Sequence, residues 1–222
     1  MLQTTICYSG ISGSHFKLGA AMKRVWLIAA ALGVMASTAS AEDGNVSKAT
    51  LNHVTSVCQT CHGPKGDSVS ATFPRLNGQR ADYVAAQLKN FRGHNRSDPH
   101  AMAYMWGMAS QLDDTLIANI ANYYAGQNPT QPQTGGALAA EGKKIFTDGV
   151  AEHGIPPCAA CHGDHGEGSS DAPRIAGQHA DYLKHQLEDF RSLLRENEIM
   201  HANTKDMTDR EIEAVVSYLA ND

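Results

Sequence analysis

The sequence predicts an all-α protein built as two tandem copies of one small helical domain, and three observations carry that prediction. A five-residue motif, Cys-x-x-Cys-His, occurs twice, as Cys58-Gln-Thr-Cys61-His62 and Cys158-Ala-Ala-Cys161-His162. The two segments that follow the motif match each other over long stretches. Within those stretches the apolar and aromatic residues recur at helical spacing rather than alternating as in a strand.

In chain order, the first element precedes both copies. Residues 22–41, MKRVWLIAAALGVMASTASA, have a basic start, an apolar run and Ala39-Ser40-Ala41 at the end. Such a segment reads as a secretory signal with an A-x-A cleavage site. Its apolar run is shorter than the roughly 20 residues a spanning helix needs. Residues 1–21, including Cys7, read as a stretch upstream of a start at Met22, so the mature chain is expected to begin near Glu42. From residue 42 onward the chain holds 15 Lys and Arg (18 less Lys17, Lys23 and Arg24) against 23 Asp and Glu, a net charge of −8. Nucleic-acid binders are basic, so that class is excluded.

The expected organisation is an N-terminal domain over 42–126, a linker over 127–136 and a C-terminal domain over 137–222. Residues 74–92, PRLNGQRADYVAAQLKNFR, match residues 173–191, PRIAGQHADYLKHQLEDFR, at a shift of 99. Residues 112–125 match 207–220 at a shift of 95. The linker, QNPTQPQTGG, has the Pro, Gly and Gln content of a connector. At about 3.3 Å per residue it reaches at most roughly 30 Å, which keeps the halves close. Helices are expected over Ala81–Arg92 and Ala180–Arg191, with Tyr83, Gln87 and Phe91, or Tyr182, Gln186 and Phe190, on helical spacing and the aromatic residues among them as core against helix or haem. Terminal helices place Ile117, Ile120, Ala121 and Tyr124, and Ile212, Val215, Val216 and Leu219, on one face each. Asp113 is placed to cap the first, and Thr208 with Glu211 forms a capping box for the second.

The motif itself carries the chemistry. In Cys-x-x-Cys-His the two thiols add across the vinyl groups of a haem, and the histidine falls beneath the iron as its proximal ligand. A zinc ribbon would set its cysteine pairs about 15–20 residues apart, whereas Cys61 and Cys158 are 97 positions apart. Bare Cys-x-x-Cys redox pairs have no need of a following histidine. Two haem c groups are therefore expected, on Cys58, Cys61 and His62 and on Cys158, Cys161 and His162. Small domains have thin cores, and a buried haem is a large apolar staple.

A second axial ligand separates an electron-transfer site from an open, reactive one, and methionine there raises the potential. Met200 aligns with Met105 at the shift of 95, while Met207 aligns with Leu112 at a helix entry. Met105 and Met200 are the expected ligands, with Met102 and Met108 as alternatives to Met105 and otherwise as packing residues. His94, His100, His185 and His201 recur at no equivalent positions and read as solvated surface.

Taken together, Cys-x-x-Cys-His near each domain start, Pro-Arg-(Leu/Ile)-x-Gly in the middle and a Met seven residues before a helix entry resemble class I cytochromes c. The duplicated form, with Gly-Gln-x-Ala-Asp-Tyr and Gln-Leu-x-x-Phe-Arg in both halves, resembles the dihaem cytochrome c4 family over nearly the whole mature chain. The resemblance implies two class I cytochrome c domains, each wrapped around a covalent haem. It implies that the Pro74 and Pro173 carbonyls accept from His62 and His162, and it makes Arg75 and Arg174 candidates to pair with haem propionates, the alternative being a plain surface role. Gly142 and Phe146 resemble the family's helix-crossing contact, which has no counterpart in residues 48–57. The function implied is a periplasmic electron carrier, not an enzyme, between a cytochrome bc1-type quinol reductase and a terminal oxidase, with peripheral membrane association. The rival readings are an electron-transfer subunit of a periplasmic dehydrogenase and a dihaem peroxidase. Charge separates the halves: residues 42–130 carry seven basic and seven acidic side chains, and residues 131–222 carry eight and sixteen.

Overall fold

Every regular element among the described residues is helical, apart from two isolated bridges, Val150–Ile155 and Gln178–Ala220. The structure, a computed structural model, describes residues 45–220 except 134 and 171. The expected export segment at 22–41 lies outside the described residues. Among those described, no helix is long and apolar enough to cross a membrane.

The first half begins with α1 (Lys48–His62), capped by Ser47, whose hydroxyl accepts from the Thr50 amide at 3.1 Å. Next come α2 (Ala81–Arg92), a π-helical turn over Ala101–Met105 that runs into the short α3 (Trp106–Ala109), and α4 (Asp114–Ala125). Asp113 caps α4 as its position implies, accepting from the Leu116 amide at 2.7 Å. The second half repeats the plan with α5 (Ala139–Asp148), α6 (Ala159–His162), α7 (Ala180–Arg191), α8 (Glu198–Thr204) and α9 (Asp209–Leu219). The capping box at Thr208 forms in full: Glu211 accepts from the Thr208 amide while its own amide donates to the Thr208 hydroxyl.

Each half has its own apolar core, as two small domains require. In the first, Val84, Leu88 and Phe91 of α2 meet Ile117, Ile120, Ala121 and Tyr124 of α4. In the second, Ile145 and Phe146 of α5 and Leu183 of α7 meet Ile212, Val215, Val216 and Leu219 of α9. The expected crossing contact is present in the second half. A side chain at Gly142 would collide with the Ala214 carbonyl, so glycine lets α5 and α9 approach closely, and Phe146 is fully buried beside it. The first half crosses without that pair. There α1 meets α4 through Leu51 and Val54, with Thr55 buried and its hydroxyl donating to the Leu51 carbonyl at 2.8 Å.

Two sequence expectations fail in instructive ways. Phe91 and Phe190 are core residues, but Tyr83 on the same stripe as Phe91 accepts from Arg195 of the other half, where Gln87 and Gln186 join it in a network of buried arginines. Helical spacing identifies a buried face without saying whether another domain or a core covers it. Met102 and Met108 do not belong to the apolar core: they are 47 % and 48 % exposed, in the π-helical turn and α3. The connector is also more ordered than its composition implies. The Asn77 amide donates to the Asn128 carbonyl and Thr130 hydroxyl at 2.8 and 3.0 Å, and the Gln133 amide donates to the Ala220 carbonyl at 2.9 Å.

Candidate haem sites

On α1, Cys58, Cys61 and His62 stand at i, i+3 and i+4, which puts all three on one face of the last turn. In the second half, Cys158 caps α6, and the His162 amide donates to its carbonyl at 3.0 Å. The chain must then turn sharply so that each histidine ring faces inward. Gly63 and Gly163 make that turn at φ of 75° and 84°. A side chain at Gly63 would strike the Asp67 carbonyl, so the motif extends by one glycine.

His62 and His162 are buried, at 7 % and 8 % exposure. Each Nδ1 lies against a proline carbonyl, His62 on Pro74 at 2.8 Å and His162 on Pro173 at 2.9 Å. A carbonyl can only accept, so Nδ1 carries the proton and the Nε2 lone pair is left for a metal. Burial holds both imidazoles below their ordinary pKa, with the proline bond opposing it, so the neutral, metal-binding form prevails. Of the four motif cysteines, Cys58 and Cys158 are partly buried and Cys61 and Cys161 are exposed. Burial pushes the Cys58 thiol up and that of Cys158 up to about 11. Two thiols beside an inward imidazole whose Nε2 points away from the proline bond, against an apolar core, fit a covalently held haem.

Met105 and Met200 are both half-buried and each stands one turn before a fully buried small residue, Ala109 or Thr204. Met105 packs against the first core. The Met200 amide donates to the Asn197 side chain at 2.9 Å. Asp98, equivalent to Asn197, accepts from the Ala101 amide instead at 3.3 Å. The first half therefore fits four extra residues between cap and helix entry, in the segment that contains the π-helical turn. Among the histidines read as surface, His201 is half-buried and bonded within the fold, while His94 is exposed and stacks on a neighbouring ring. His201 lies with Nδ1 2.9 Å from the Phe190 carbonyl, and His94 stacks on Trp106 with centroids 4.0 Å apart.

The surface between the halves holds Arg75 and Arg174 together with residues the sequence did not single out as functional. Arg75 donates to the Gly177 carbonyl at 3.0 Å, and Arg174 to the Thr130 carbonyl at 3.1 Å. Behind them, Gln79 and Gln178 each reach into the opposite half. Deeper, Arg96 and Arg195 are buried among Gln87, Gln186, Tyr83 and Asp98. Burial pulls Arg96 toward neutrality, but Tyr182, Tyr83 and Asp98 keep its guanidinium charged. Burial pushes the Tyr83 phenol up, and Arg195 and Arg96 outweigh it to bring the phenol below its ordinary value. The signal for these roles was available: Gln79 and Gln178, Gln87 and Gln186, and Arg96 and Arg195 are identities at the shift of 99.

Comparison with known proteins agrees with this geometry. A family model described as Cytochrome c matches residues 52–126 and again 139–221. Cytochrome c4 of Thiocapsa roseopersicina is 40 % identical over 173 residues, covering 73 % of this chain and 85 % of that protein. The structure of cytochrome c4 from Acidithiobacillus ferrooxidans superposes with a TM-score of 0.70 at 40 % identity, over 74 % of this chain and 98 % of that one. A thiosulfate dehydrogenase electron acceptor from Thiomonas intermedia is 34 % identical over 171 residues, 73 % of this chain and 77 % of that protein.

Proposed function

The chain belongs to the dihaem cytochrome c4 family, and on that premise we propose that it is a periplasmic electron carrier with two closed, His/Met-ligated haem sites and no catalytic activity of its own. Haem, when bound, supplies a one-electron iron couple. Cys58 and Cys61, and Cys158 and Cys161, hold it through thioether bonds, in domains bounded as 42–126 and 137–222. His62 and His162 supply Nε2, with Nδ1 fixed by Pro74 and Pro173. Met105 and Met200 would supply a soft sulfur as the second protein ligand of each iron. Arg75 and Arg174, at the surface between the halves, offer charge to the propionates.

The observation that carries this reading is the repeated pairing of a Cys-x-x-Cys-His histidine with a proline carbonyl, at 2.8 and 2.9 Å in the two halves. Mass spectrometry of the exported protein should find two haem additions that survive acid–acetone extraction. Met105→Ala and Met200→Ala should each lower one midpoint potential and admit carbon monoxide to one iron. A single haem, or Met105→Ala without effect beside an effective Met102→Ala or Met108→Ala, would overturn the corresponding assignment.

The partners proposed are a cytochrome bc1-type quinol reductase and a terminal oxidase, met at the membrane surface. A second reading is favoured by the similarity to a thiosulfate dehydrogenase electron acceptor: the chain accepts electrons from a periplasmic dehydrogenase. Co-purification with a catalytic subunit, and reduction by it at low protein concentration, distinguishes the two.

A further inference from the structure

The peptide bond between Pro74 and Arg75 is hydrogen-bonded at both ends. Its carbonyl accepts from His62 Nδ1 at 2.8 Å, and its N–H, that of Arg75, donates to Gln178 Oε1 of the other half at 2.8 Å. The Pro173–Arg174 peptide repeats the arrangement. Its carbonyl accepts from His162 Nδ1 at 2.9 Å, and its N–H donates to Gln79 Oε1 at 2.9 Å. Both glutamine amides are only 8 % exposed and have fixed orientations. Gln178 Nε2 donates to the Arg75 carbonyl at 3.0 Å, and Gln79 Nε2 to the Arg174 carbonyl at 2.8 Å. Each Oε1 also accepts the next backbone amide of its own chain, from His179 at 3.1 Å and from Arg80 at 2.9 Å.

We infer that Gln178 and Gln79 are crossed positioning residues, each setting the basicity of the proximal histidine in the opposite domain. Hydrogen bonds in a chain polarise one another. When Gln178 accepts the Arg75 N–H, the Pro74 carbonyl becomes a stronger acceptor and draws the Nδ1 proton of His62. That raises the electron density at Nε2, and a more basic ligand favours the oxidised iron. The chain of bonds runs from one half into the other and returns by the equivalent residues, so docking itself lowers both potentials. Docking also orients the histidines, because the same glutamine clamps the backbone on both sides of Arg75 or Arg174.

The inference rests on His62 and His162 being the proximal ligands. The test uses the intact dihaem protein and two readouts: site-resolved midpoints, and the proton resonances of His62 and His162 Nδ1–H in the reduced, diamagnetic state. Gln178→Leu removes the acceptor. It should raise the N-terminal midpoint by about 30 mV, a threefold change in oxidised-to-reduced ratio at about 59 mV per decade, leave the C-terminal midpoint in place, and move only the His62 resonance. Gln79→Leu should do the reverse. Gln178→Glu, at a pH where the new carboxyl is ionised, accepts more strongly and should lower the N-terminal midpoint alone. Equal shifts at both irons, a shift confined to the substituted half, or an unmoved His62 resonance would overturn the inference. If Gln178→Leu undocks the halves, an unchanged or raised N-terminal midpoint in Gln178→Glu overturns it instead. Were His62 not a ligand, its Nδ1–H would lack the ring-current displacement of an axial imidazole even in the unsubstituted protein, which is a different result from any of these.

Discussion

Asp98 carries the heaviest electrostatic duty in the interface between the domains, and its removal should be costly. Its side chain is fully buried, with Oδ2 accepting from Arg96 Nε at 2.6 Å and Oδ1 from the Ala101 amide at 3.3 Å. The other acceptors bonded to Arg96 are neutral amides, Gln87 at 2.9 Å and Gln186 of the opposite domain at 2.7 Å. Arg195 crosses the other way, donating to Tyr83 at 2.9 Å and Gln87 at 3.1 Å. Asp98→Ala therefore leaves a buried guanidinium without its bonded carboxylate. Breaking such a pair by removing one partner costs about 3–5 kcal/mol. Asp98→Asn keeps an acceptor but loses the charge, and the charge-assisted bond alone is worth about 1.5–3 kcal/mol. Denaturant unfolding of the haem-loaded protein should show this order, with Asp98→Ala lowering Tm by about 10 °C on the scale of roughly 2–4 °C per kcal/mol for a chain of this size. Because Arg96 binds both domains, the Asp98→Ala transition should also broaden or split as the domains lose their coupling. A loss below about 1 kcal/mol for Asp98→Ala would refute the claim that the buried arginines depend on it.

Two further outcomes follow from charges elsewhere. The Glu211 carboxyl is raised by burial, but bonds from Thr208 and the proximity of His153 outweigh that and hold it below the usual carboxylate range. A lowered carboxyl contributes stability that is present above its unfolded value and lost as pH falls through its folded value, so acid unfolding of the C-terminal domain should begin in that window; Glu211→Gln should flatten this pH dependence and cost about 1 kcal/mol at neutral pH through the weakened cap. Glu196 and Glu198 are exposed on the acidic domain, so reversing both to Lys should slow reduction or oxidation by one partner in stopped-flow measurements, with the effect shrinking as salt rises; unchanged rates with both partners at low ionic strength would exclude steering by this surface.

Four of the helices, the caps at Asp113 and Thr208, and the two motifs were legible in the sequence because each is a local device. Thr208 and Glu211 are three residues apart, Cys58 and His62 one turn apart, and Ile212, Val215, Val216 and Leu219 lie on one helical face whatever surrounds them. What the sequence did not reveal depends on where one half sits against the other. Tyr83 and Gln87 share a stripe with Phe91, yet they meet arginines of the interface while Phe91 enters the core. Met102 and Met108 read as packing residues, but in the longer first-half segment around the π-helical turn both are about half exposed. That turn widens the helix by one residue locally, which no apolar periodicity at 3.6 residues can anticipate.

The interface also explains why the repeat is most alike where it is least exposed. Halves that dock reciprocally use each contact residue twice, as in an isologous dimer. Gln79 bonds Arg174 as Gln178 bonds Arg75, and Gln87 and Gln186 each receive both buried arginines. Changing one such residue leaves its partner facing an unmatched group in a site closed to water, where an unpaired donor or acceptor is expensive. The solvent-facing positions carry no such reciprocity, and there the halves diverge to seven acidic side chains in residues 42–130 and sixteen in residues 131–222. The immediate surroundings of the two irons are thus held alike by docking, while the outer surfaces differ in charge. A carrier that must take an electron from one protein and pass it to another needs two surfaces that partners can tell apart. Here the distinction lies in solvent-exposed charge, where changing it does not disturb the buried hydrogen bonds that hold His62 and His162.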